Sequence, residues 1–211
     1  MRYVHLVSSA ARSSSRAERR VTIERAQTAT IARAAADEFR NAGVRRASID
    51  RIADAAGVSR STLYRRFPRK EDLLGEVVVQ LRHSYAGEIG SRIVGTDPRT
   101  ALVEIFVVAV TGFRSDTLVQ KILADQPEAL EMFVGFEAPQ VETLIREFSK
   151  GIADSLRAVG ASMPDQDLRQ ASETVFRLIT SFALTPTHSF DLDDPDAVRQ
   201  YATKVLAPMI W

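Results

Sequence analysis

Apolar residues recur three and four positions apart along most of this 211-residue chain, with breaks at Gly, Pro and Asp. Ile31, Ala35 and Phe39 share one face and predict a helix from about Thr22 to Asn41, with Gly43 suited to its C-terminal end. Ser48 is placed to cap the next helix, whose stripe is Ile49, Ile52, Ala53 and Ala56. Gly57 tolerates positive φ and supplies a turn. Ser59 caps a short third helix, with Val58 and Leu63 spaced as a hydrophobic staple. Leu63 and Phe67 point to the core of this group. Ser61, Thr62 and Arg65 then face away, with Tyr64 on the flank and Arg60 at the tip.

The pattern continues helical to the end. A long helix is predicted over Lys70–Val94, an almost wholly apolar and therefore central one over Leu102–Phe113, and short ones over Leu118–Leu123 and Glu128–Phe136. Longer amphipathic helices follow over Pro139–Val159, Pro164–Leu184 and Pro195–Ala207, with proline suited to the first helical turn. Strand-like alternation is not found. The expected fold is all-α, about nine helices, with a three-helix domain over 22–69 and a larger helical domain over 70–211.

Charge changes this picture. Residues 1–70 hold 16 Lys+Arg and 6 Asp+Glu, a net +10, and residues 71–211 hold 12 and 21, a net −9. A basic domain on an acidic carrier points to a polyanion at the first and not the second. Residues 1–21, with Arg2, Arg12, Arg16, Arg19 and Arg20 among Ser and Ala, read as a mobile arm. Such an arm either reaches phosphates or a minor groove, or is a disordered start with incidental charge. The chain has no cysteine, which excludes disulfides and thiol chemistry. The Tyr3–Val7 run is too short and polar for a secretory leader, and Ala101–Phe113 is interrupted by Glu104 and too short to span a bilayer. A cytoplasmic protein without a membrane partner is expected.

A helix, a tight glycine turn and a short helix with a polar outer face form the helix-turn-helix pattern, in which the second helix enters the DNA major groove. The alternative is an ordinary helical hairpin in a core. Phe39, Gly43, Ser48–Ala53, Ala56–Ser59, Leu63–Tyr64, Phe67–Pro68 and Lys70–Leu74 together resemble the N-terminal domain of the tetracycline-repressor family of bacterial transcription regulators. The resemblance covers roughly residues 22–75 of the chain. It implies that Tyr64 and Lys70 contact phosphate, that Ser61, Thr62 and Arg65 touch bases, and that Arg60 lies near phosphate or a base edge. Ser48 and Ser59 join this DNA-facing set. Arg65 is the direct-readout candidate, because guanidinium bonds guanine bidentately. Arg66 either binds phosphate or is solvated. Where the family commonly has a small N-cap such as Ser before the lysine, this chain has Arg69.

Helix-turn-helix proteins read two half-sites as symmetric dimers, so a homodimer on a palindromic double-stranded operator is expected. The resemblance implies that the last two helices pair in a four-helix bundle, through Leu168, Val175, Leu178, Ile179, Phe182, Val198, Tyr201 and Val205. The alternative is that they complete a monomer core. Phe106, Val110, Phe113, Phe133, Phe136, Phe148 and Phe176 either fill a core or line a pocket for an apolar or aromatic effector. Glu104, Arg114 and His83 are candidate polar contacts. Binding would shift the fourth helix and move the recognition helices off the groove spacing of about 34 Å. No metal-ligand spacing, P-loop or dinucleotide glycine pattern is present, so neither a cofactor nor catalysis is expected. The competing function is a helical small-molecule-binding or protein-interaction module without specific DNA binding.

Overall fold

The computed structural model describes residues 3–125, 139–185 and 187–211. These form nine α-helices, and no strand occurs among the described residues. In chain order they are α1 (Tyr3–Ala42), α2 (Ile49–Ala55), α3 (Arg60–Arg66), α4 (Lys70–Ile93), α5 (Pro98–Ser115), α6 (Thr117–Asp125), α7 (Pro139–Ala158), α8 (Asp165–Leu184) and α9 (Pro195–Tyr201). The helix expected over Glu128–Phe136 lies outside the described residues.

Two elements differ from expectation. Helix α1 begins at Tyr3, so residues 3–21 continue the helix where a mobile arm was expected. The physical reason is that no Gly or Pro precedes Gly43, and Ala, Arg and Glu recur through the segment. The last helix is α-helical only to Tyr201. It widens to a π-turn over Ala202–Leu206 and tightens to a 3-10 turn over Ala207–Met209. Pro208 lacks an N–H and its ring crowds the preceding turn, which ends regular α-helix there.

The chain divides into two compact units, one of residues 1–42 and 46–80, the other of 43–45 and 81–211. The first has its core in Ile31, Ala32, Ala35 and Phe39 of α1, Ile52 and Ala53 of α2, Leu63 and Phe67 at α3, and Leu73 and Val77 of α4. The second is built around α5, whose Leu102, Ile105, Phe106 and Val110 are buried among α7, α8, α9 and the C-terminal turns. Phe182 and Tyr201 pack against Phe106, and Phe190 stacks on Tyr201 at 4.5 Å. The chain end is tied down within this unit. Arg99 Nε donates to the Ile210 carbonyl at 2.8 Å, and Met163 N–H donates to the Trp211 carbonyl at 3.2 Å.

Candidate nucleic-acid interface

The first unit presents α3, and local chemistry fixes how. The Ser59 hydroxyl caps the helix by accepting the Thr62 N–H at 3.2 Å. It also shares hydrogen bonds of 2.9 Å with the Ser61 and Thr62 hydroxyls. Leu63 is fully buried and Phe67 nearly so, which seats the inner face. A seven-residue helix has too few internal hydrogen bonds to persist alone, so this seating holds it. The opposite face stays open. Ser61, Tyr64 and Arg65 are exposed, Tyr64 by 51% of its surface. Arg65 has no hydrogen-bond or ion-pair partner among the described residues.

Helix α2 and the turn are equally determined. Ser48 accepts the Arg51 N–H at 3.4 Å as N-cap. Gly57 sits at φ +65°, in the left-handed region that residues with a Cβ avoid. The Glu38 carboxylate of α1 joins helix to helix. It accepts the Ser48 N–H at 2.9 Å and both Arg51 Nε, at 3.0 Å to each oxygen, and Arg51 Nη2 at 2.5 Å. The Arg51 hydrogen bonds, then the Ser48 N–H and the charges of Arg51 and Lys70, hold this carboxyl below the usual glutamate range despite its burial. Periodicity carries no sign of this clip, because its partners are 10 and 13 residues apart.

The remaining cations are placed individually. Arg60 pairs with Asp50, and the Arg66 guanidinium donates to the Glu24 carbonyl and the Thr28 hydroxyl of α1. Arg66 is therefore a bracket between α3 and α1. Lys70 Nζ donates to the Ala47 carbonyl at 3.0 Å. Arg69 turns out to be part of a cap. Its N–H donates to Asp72 at 3.1 Å, and its guanidinium meets the same carboxylate at 2.8 Å and 3.2 Å. Asp72, the third residue of α4, thus supplies the return half of a capping box by accepting the Arg69 N–H, and the Arg69 bonds lower its carboxyl pKa.

In the second unit, Leu168, Val175, Ile179 and Val198 are buried in the chain's own core. Their burial is that of the alternative reading, in which these helices complete the chain's own core. An apolar stripe does not say whose core it enters. Leu178, Phe182 and Tyr201 are half-buried, and Val205 is 45% exposed. Phe106 and Val110 are fully buried, and Phe176 stacks on Phe148 at 5.0 Å with Arg82 4.5 Å above the Phe148 ring. Phe113 is half-buried. Phe133 and Phe136 lie outside the described residues. The candidate polar contacts are engaged elsewhere: Glu104 pairs with Arg199 and Arg92, and Arg114 grips Asp193 at 2.7 Å and 3.1 Å. His83 is exposed. A groove of about 460 Å³ is lined by Arg99, Thr100, Glu104 and Arg199, and none of the phenylalanines borders it. Among the described residues there is no group of three or more His, Asp or Glu able to hold a metal, and no helix long and apolar enough to cross a membrane.

Residues 31–77 match the model of the bacterial regulatory proteins of the tetR family. No curated protein matches the chain. Its fold is similar to that of the TetR-family repressor AlkX from Dietzia sp. strain DQ12-45-1b, implicated in biodegradation of n-alkanes. That match has 23% identity over 86% of this chain and 93% of that one, with TM-score 0.64. A TetR transcriptional regulator from Rhodococcus sp. RHA1 is similar at 22% identity over 88% and 97%, with TM-score 0.52. So is a cysteine mutant of the TetR-family regulator CifR, solved with a 26-base-pair double-strand operator DNA. It shows 18% identity over 84% and 95%, with TM-score 0.53.

Proposed function

From a chain that carries the N-terminal domain of the tetR family and that family's helical fold, we propose a sequence-specific repressor released from its operator by a small apolar molecule. The observation that carries this reading is the open face of α3. Tyr64 and Arg65 point away from a seated helix, and Arg65 has no partner among the described residues. A guanidinium held exposed beside capped hydroxyls is poised for a guanine edge, and a tyrosine on the flank for a phosphate. Two copies present two such helices, and a palindromic operator matches them.

The second unit is the effector side of this reading. Its aromatic interior and the implication of AlkX in n-alkane biodegradation support an apolar effector. An effector acts only if it binds the DNA-free state more tightly. Helix α4 is the one element shared by both units, so it is the element whose equilibrium the effector biases. A mobility shift on DNA upstream of the chain's own gene tests the reading. Retardation in preference to random DNA, reversed by a long-chain alkane or fatty acid, is expected. Equal retardation of both DNAs would instead favour a helical binding module without sequence specificity.

A further inference from the structure

Arg60 is the first residue of α3 and Asp50 the second residue of α2. Their side chains form an ion pair that joins the N-terminal turns of these two helices, Asp50 Oδ2 meeting Arg60 at Nη2. Both stay in water, with Arg60 67% and Asp50 46% exposed. On the helical register Arg60 lies about 40° from Tyr64, one turn further along α3. Tyr64 is exposed and stands on the flank read as phosphate-facing. Arg60 therefore belongs to the same flank, at the end by which a recognition helix enters the groove.

A carboxylate at that place has a physical consequence. A cation that neutralises a phosphate releases counterions, and an uncovered Arg60 would do so on any sequence. Paired with Asp50, it brings almost no net charge to the backbone, and a phosphate must displace the carboxylate to reach it. Arg51 and Arg69 are also covered, by Glu38 and Asp72. Those two carboxylates have a structural task as well, because they accept the N–H groups of Ser48 and Arg69. Asp50 has Arg60 as its one side-chain partner among the described residues. An exposed pair of this kind adds little to folding.

Resting on the reading of α3 as a recognition helix, we propose that Asp50 sets the sequence-independent affinity of the chain for DNA by covering Arg60. It is a positioning residue that acts through the arginine. The covered cation contributes less than one full phosphate contact, and base preference stays with Arg65.

The test is Asp50→Asn in the full chain, which keeps the shape and removes the charge. The probes are a duplex that the wild-type chain selects from a randomised pool and a random duplex of equal length. Binding is measured from about 50 to about 200 mM salt. One uncovered phosphate contact steepens the log–log slope by about 0.9, which is about 8-fold in affinity at about 100 mM. Asp50→Asn is therefore expected to bind both duplexes more tightly, by up to about 8-fold, with a steeper slope and the wild-type base preference. Added to Arg60→Gln, the same change is expected to move the slope by less than about 0.3. An unchanged or flatter slope for Asp50→Asn overturns the proposal and leaves the α3 reading intact. So does a full steepening in the Arg60→Gln background, because the carboxylate then repels DNA directly. A lowered urea midpoint with the wild-type salt slope makes Asp50 a support of α2 alone, and the proposal fails. A wild-type chain that selects no duplex overturns both.

Discussion

Replacing Glu38 by Ala removes the carboxylate that ties α1 to the start of α2. The Glu38 side chain is 11% exposed, while its partner Arg51 is 63% exposed. The Arg51 pair is therefore screened and contributes only about 0–1 kcal/mol. The Ser48 N–H is the costlier loss, since a part-buried donor left without an acceptor costs about 1–3 kcal/mol. Together these predict a loss of about 2 kcal/mol for Glu38→Ala. Glu38→Gln keeps an acceptor for Ser48 and loses the charge, so it costs about 1 kcal/mol. Urea unfolding followed by circular dichroism reads both, with a shifted midpoint and an unchanged slope. A lowered carboxyl pKa in the folded state also fixes the pH dependence. The contribution is complete above the unfolded glutamate value of about 4.3 and is lost as pH falls through the lower folded value. The gap between wild type and Glu38→Gln should therefore close on acidification. Two variants as stable as wild type at neutral pH, or a gap that persists in acid, would refute the reasoning.

Other positions give shorter predictions. Gly57→Ala meets no neighbouring atom, so its cost is the left-handed backbone alone, about 1–2 kcal/mol by chemical denaturation. A Cβ on Gly112 would run into the Tyr85 ring, whose hydroxyl donates to Asp116 at 3.2 Å. Gly112→Ala is expected to destabilise the second unit by about 1–3 kcal/mol, and Gly112→Ala combined with Tyr85→Ala to recover part of the loss. Asp72→Ala removes the cap of α4 and should cost about 0.5–2 kcal/mol, whereas Arg69→Ala leaves the N–H bond to Asp72 and should cost less.

The local grammar of the first unit was legible because each signal acts over a few residues. Ser48 and Ser59 cap as their positions predict, and Leu63 and Phe67 are buried while Arg65 is open. What escaped the sequence acts across longer separations. Glu38 meets Ser48 and Arg51 only after the chain turns, and Arg66 finds Glu24 at a separation of 42 residues. Arg69 looked like a defect because the compensating carboxylate belongs to Asp72. In the second unit the periodicity of Leu168, Val175, Ile179 and Val198 marked burial, and periodicity alone does not distinguish the chain's own core from a second copy. The start of α1 was misjudged because Ser-rich, Arg-rich composition suggests disorder even where no residue breaks a helix.

The central claim is that α3 reads bases through Arg65. The most direct measurement compares wild type and Arg65→Ala against a selected operator and its single-base variants, by equilibrium binding at fixed salt. The account predicts that the variant loses about 1–3 kcal/mol on the selected sequence and no longer discriminates at one position of each half-site. Equal affinity and equal discrimination by the two proteins would contradict it.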